Sequence, residues 1–150
     1  MNSRIVVAII AILAFAIAAP AKPNFSGTWK LNKDKSNYGP VSAPERMERK
    51  INHEDPSLKM TILQVGDEGE RTLDLAYKTD GSESVNRVRD VEVRSVAKWD
   101  GQVLIVSSKR GNFMQNERWT LSEDGKVLTL VNRINSPQGD FEVTVVMDKQ

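Results

Sequence analysis

From Met47 to the C-terminus the chain is a succession of short segments in which apolar and polar residues alternate, each ended by a turn signal. A period of two is that of a half-buried β-strand. Met47, Ile51 and His53 share one face against Glu48, Lys50 and Asn52, and Arg49 interrupts the apolar side. Leu58 to Val65 directs Leu58, Met60 and Ile62 one way, and Arg71 to Lys78 directs Leu73, Leu75 and Tyr77. Val91, Val93, Ala97 and Trp99 share a face, as do Phe113, Gln115, Glu117, Trp119 and Leu121, and later Phe141, Val143, Val145 and Met147. With Phe25–Asn32, Ser84–Arg89, Val103–Lys109 and Lys126–Ile134, about ten strands are predicted.

Asp-Gly pairs at 80–81, 100–101 and 124–125 are strong hairpin signals. Short turns make sequence neighbours into sheet neighbours, so the chain is a meander. An open meander leaves two unpaired edges, and closure removes them. The expected fold is therefore all-β: a closed antiparallel up-and-down barrel of eight to ten strands, with a two-sheet sandwich as the structural alternative. Lys33 to Glu45, with Pro40 and Pro44, breaks this rhythm and reads as an ordered loop over one barrel end, or as a flexible lid.

Ahead of the strands, Ile5 to Ala19 is an unbroken apolar run preceded by Arg4 and followed by Ala19-Pro20-Ala21. The run is short of the ~20 residues a spanning helix needs, and its flanks fit a cleavable signal peptide. Residues 1–21 are thus expected to be a leader and 22–150 one barrel domain, secreted or periplasmic. A lipid-anchored leader needs a cysteine, and the chain has none. Removing Arg4 from 21 bases leaves 20 against 20 acids. That balance, with no basic stripe, gives no reason to expect nucleic acid as a partner.

Phe25-Ser26-Gly27-Thr28-Trp29-Lys30-Leu31 resembles the first strand of the lipocalin and fatty-acid-binding-protein (calycin) superfamily, whose Gly-x-Trp signature opens the barrel. Ala97-Lys98-Trp99-Asp100-Gly101 and Trp119-Thr120-Leu121-Ser122, followed by Asp124-Gly125-Lys126, are similar to exported bacterial lipocalin-like proteins of unassigned function. The resemblance covers Phe25 to Lys149. It implies structural roles for Gly27 and Trp29, with Trp29 plugging the barrel base, and an interior that takes a small ligand. Two departures stand out. Lys33 to Glu45 has no apolar period for the two lid helices of fatty-acid-binding proteins. Val145-Val146-Met147 stands where those proteins carry an Arg-x-Tyr pair that holds a carboxylate.

Directly opposed residues in a hairpin point the same way. Taking Asp100-Gly101 as loop, Trp99 opposes Gln102, Ala97 opposes Leu104 and Ser95 opposes Val106. Across Asp124-Gly125, Leu121 opposes Leu128, Trp119 opposes Leu130 and Glu117 opposes Asn132. If those faces point inward, the interior carries Arg49, Gln115, Glu117 and Asn132, with Tyr77, Trp99, Phe113 and Trp119 as walls. Buried charges need partners, so Arg49 and Glu117 either pair, sit at a rim, or orient a ligand in an apolar cavity.

Catalysis and metal binding have little to build on. The chain holds one histidine, no cysteine and no Gly-x-Ser-x-Gly, which removes thiol chemistry, His-based metal sites and a nucleophile elbow. His53, beside Asp55-Pro56, is placed at a barrel end, where it does not suit haem. No cofactor is called for. The expected function is non-enzymatic binding of a small hydrophobic or amphipathic ligand by a protein that is monomeric, or at most weakly dimeric. The alternative is an interaction module using the outer-face residues Val96, Val103 and Ile105.

Overall fold

A computed structural model of the protein describes residues 20–150. The expected leader, Met1 to Ala21, lies outside them apart from Pro20 and Ala21. Ten strands follow in order: β1 (Gly27–Leu31), β2 (Arg46–Glu54), β3 (Ser57–Gly66), β4 (Gly69–Lys78), β5 (Asp80–Val88), β6 (Val91–Asp100), β7 (Val103–Arg110), β8 (Phe113–Leu121), β9 (Val127–Ser136) and β10 (Gly139–Lys149). They form one antiparallel sheet in the order β4-β3-β2-β1-β10-β9-β8-β7-β6-β5. The first strand pairs with the last, so the meander curls into a barrel.

The barrel is nearly closed, as expected, but the hairpin expected across Asp80-Gly81 is a correction. β4 and β5 end the sheet order and are not paired with each other, although Asp80-Gly81 lies between them. Asp80 pairs instead with Lys98 of β6, and the register shifts between Asp80 and Glu83. Side chains bridge the resulting seam. The Ala76 amide donates to Asn86 Oδ1 (2.8 Å) and Asn86 Nδ2 donates to the Ala76 carbonyl (3.0 Å). The Lys78 amide donates to Ser84 Oγ (2.9 Å). Asn86 thus offers a neighbouring strand what a peptide unit would, and its residue is buried.

A second correction concerns the β6–β7 hairpin. Asp100 opposes Val103, Trp99 opposes Leu104 and Ala97 opposes Val106, so Gly101 and Gln102 form the loop and the pairing is two residues from that expected. Gly101 takes φ +59°, the left-handed conformation a tight hairpin loop needs and glycine supplies freely. A shift of two preserves every side chain's face, so the inner set is unchanged. Outside, Ile105 faces Lys98 and Arg118, and Val96 faces Ser107 and Glu83. The β8–β9 hairpin has the expected register.

The base of the barrel is packed solid. Phe25, Trp29, Leu58, Leu104, Leu128 and Met147 are wholly buried. Trp29 donates its indole N–H to the Phe25 carbonyl (2.9 Å), which settles the polar atom of a side chain otherwise committed to the core. Phe25 stacks on Trp99 and His53 and meets Trp119 edge-on. The segment after the short β1 does not cap an end. It runs beside β10, with Asn32 donating to the Val146 carbonyl and Asn37 exchanging two backbone bonds with Thr144. It brings Tyr38 against the core.

Candidate functional site: the barrel interior

Above the packed base the barrel opens into a cavity of about 820 Å³. Its mouth is ringed by the β5–β6, β7–β8 and β9–β10 turns, through Val88, Val91, Asn112 and Pro137. Met60, Leu75, Val93, Ile134 and Phe141 supply apolar wall. Of the residues singled out from sequence, Arg49, Tyr77, Phe113, Gln115 and Glu117 line it. Trp119 packs beneath, with the Arg49 guanidinium 5.8 Å from its ring centre. Asn132 stands opposite Glu117 on β9. Trp99 belongs to the base, stacked on Phe25 and His53.

Arg49 and Glu117 form the polar floor. Their residues are 8% and 9% exposed, and Arg49 Nη1 lies 3.3 Å from Glu117 Oε1. Gln115 Nε2 donates to Glu117 Oε2 at 3.3 Å. β2 and β8 each place a charged residue at mid-strand on the inward side, so the two meet across the lumen well below the rim. The surrounding polar groups are incompletely partnered: Arg49 Nε, Asn132 Oδ1, Trp119 Nε1 and the Tyr38 hydroxyl are buried with no protein hydrogen-bond partner. Burial pushes the Tyr77 phenol up from its ordinary value, and the Glu117 charge pushes it further than the Arg49 charge draws it back. Burial likewise raises Tyr38, and Arg49 opposes the rise. Both phenols therefore lie neutral within the field of the buried pair.

Sequence reasoning did not single out Tyr38, Asn86 or Ser108 as interior polar groups. Ser108 faces Ser95 across β6 and β7, hydroxyl to hydroxyl at 2.8 Å. Its position in the Leu104, Val106 series is the signal that marks it as inward. Tyr38 had only its isolation, an aromatic residue in a polar loop.

At the opposite end, Asp55 collects the base's polar atoms. It accepts from Thr79 Oγ1, Trp99 Nε1 (3.1 Å), Lys22 Nζ (3.3 Å) and His53 Nε2 (3.5 Å). His53 Nδ1 accepts from the Phe25 amide (3.2 Å), which assigns the ring proton to Nε2. Burial by itself raises the Asp55 carboxyl, and the bonds from Thr79, Trp99, Lys22 and His53 together outweigh it and hold the group down to about 2. These atoms are consumed by one another and by the backbone, so the cluster is a structural clasp. Among the described residues no group of three or more His, Asp or Glu is placed to hold a metal ion.

No family model matches the chain, and no curated protein does. Solved structures do. Secretory abundant heat soluble protein 4 from Ramazzottius varieornatus superposes with a TM-score of 0.64 at 17% identity, over 87% of this chain and 96% of that one. Echinococcus granulosus fatty-acid-binding protein 1 gives 0.62 at 14% identity, over 83% and 96%. The chain shares the fold of these two proteins. Zebrafish ileal bile acid-binding protein, solved with cholic acid, also shares it, with a TM-score of 0.59 at 15% identity over 84% and 98%. In this chain the barrel is built without helices among the described residues.

Proposed function

We propose that the protein is an exported carrier that binds a small hydrophobic or amphipathic molecule in the barrel interior, without catalysis. The observation that carries this is the cavity of about 820 Å³, which is in the range of small-molecule sites and has their composition, mostly apolar wall with a few convergent polar groups. The fold likeness to a fatty-acid-binding protein and to a bile acid-binding protein supports the reading. Export rests on the Arg4, Ile5–Ala19 and Ala19-Pro20-Ala21 pattern. Native mass spectrometry of the purified protein, before and after organic extraction, tests the binding. A ligand adduct, or uptake of an uncharged hydrophobic dye, is expected. A barrel that carries nothing and takes up no dye overturns it.

The alternative of an outer-face interaction module loses its motivation in the register. Val96, Val103 and Ile105 are half-buried, and Lys98, Arg118 and Glu83 stand between or beside them, so no continuous apolar patch forms.

A further inference from the structure

The cavity floor specifies what kind of polar group a ligand can bring to it, an inference that rests on the ligand-binding reading above. Two full charges are buried there and they cancel, Arg49 against Glu117 at 3.3 Å. Among the described residues lining the cavity the other charged side chain is Arg110, which is exposed at the mouth.

The pair does not exhaust its own hydrogen-bonding capacity. A guanidinium has five N–H donors, and a carboxylate has room for about four hydrogen bonds. Arg49 Nε has no partner. Glu117 receives one bond on each oxygen, from Arg49 and from Gln115. Asn132 Oδ1, opposite Glu117, is buried without a donor. Arg49 Nε and Asn132 Oδ1 are shut away from the cavity, so what the floor offers a ligand is the capacity left on the Arg49 Nη groups and the Glu117 oxygens, donors and acceptors side by side on two lining residues with no net charge.

We infer that this floor takes an amphiphile whose inner polar group is uncharged and both donates and accepts, a hydroxyl or a primary amide, in preference to a carboxylate or an ammonium. A ligand carboxylate brought to the floor is attracted by Arg49 and repelled by Glu117, while it forfeits its hydration, the dominant cost of burying an ion. An ammonium meets the mirror image of this problem. A hydroxyl or amide gives up far less hydration, and it can donate to a Glu117 oxygen while accepting from the guanidinium.

Displacement of Nile red from the purified protein by hexadecanol, hexadecanamide, hexadecanoate and hexadecylammonium, near neutral pH, tests this. The alcohol and amide are expected to bind about tenfold or more tightly than either ion, a difference of about 1.4 kcal/mol per tenfold. Glu117→Gln leaves the guanidinium uncompensated and is expected to move the preference to hexadecanoate. Arg49→Gln is expected to move it to hexadecylammonium, so the test survives if one variant fails to fold. Tighter binding of either ion by the unaltered protein overturns the inference, as does an unchanged ranking in a folded variant. If Nile red itself does not enter, the ligand-binding reading falls and takes this inference with it. If the dye enters and only the ranking differs, the reading stands and the inference alone is lost.

Discussion

The two ends of the barrel are made from the same alternating strands and come out opposite in character. At the base, Phe25, Trp29, Trp99 and His53 interlock, and the polar atoms of His53, Trp29 and Asp55 find protein partners. Toward the mouth, side chains of similar size leave a cavity, Phe113 and Met114 stand 47% and 57% exposed, and buried polar atoms go unpartnered. The difference lies in how the wall is filled from within. Below, the segment carrying Phe25 crosses under the strands and inserts aromatic rings. Above, Arg49, Gln115 and Glu117 line the floor of an open cavity. An end that is satisfied is structure, and an end with capacity to spare is a site.

The contrast can be broken most sharply at Trp29. Trp29→Ala is expected to destabilise the protein by about 3–5 kcal/mol, the usual cost of deleting a core aromatic, measured by denaturant titration. The buried pair comes next. Arg49→Met leaves Glu117 without its cation and is expected to cost about 3–5 kcal/mol, whereas Arg49→Met combined with Glu117→Leu is expected to recover most of that loss, because replacing both members removes the uncompensated charge. A double variant no more stable than Arg49→Met would show that the two side chains do not interact. At the seam, Asn86→Ala removes two bonds from the Ala76 peptide and is expected to cost about 1–3 kcal/mol. Faster hydrogen exchange at the Ala76 amide should accompany it.

A smaller effect is expected from acid. The Asp55 carboxyl titrates at about 2 in the folded protein against an ordinary value of 3.8. A depressed carboxyl stabilises the folded state fully above 3.8, and that contribution is lost as pH falls towards about 2. Asp55→Asn should flatten this part of the stability–pH curve and leave neutral-pH dye uptake intact, since the clasp is at the base. Least of all, Phe113→Ala at the mouth is expected to change stability by no more than about 0.5 kcal/mol while weakening dye binding. A large stability loss there would erase the distinction between the two ends.

Strand number and facing were legible before any coordinates, because alternation is a local property. Each inward series, such as Leu58, Met60 and Ile62, depends on side chains pointing to opposite faces at successive residues. The β8–β9 register followed from Asp124-Gly125 for the same reason. The β6–β7 register did not, since Asp100-Gly101-Gln102 allows the loop to form on either side of Gly101. Asp80-Gly81 misled more fully. A hairpin signal describes the turn and is silent on whether the strands beyond it stay together, and here the register shifts between Asp80 and Glu83, β4 and β5 do not pair, and Asn86 bridges the gap.

The site divides along the same line. Arg49, Gln115, Glu117 and Asn132 were identified as inward because their parity on their own strands requires it. That Arg49 and Glu117 meet, at mid-depth and sixty-eight positions apart, is decided by barrel closure through the β1–β10 pairing, which no local pattern encodes. Sequence by itself determined which residues of a strand share a face. Only the tertiary structure decided which of them touch, how deep they lie, and that Tyr38, from a segment without strand periodicity, joins them, because those depend on long-range closure of the chain and on the volume left after the base has packed.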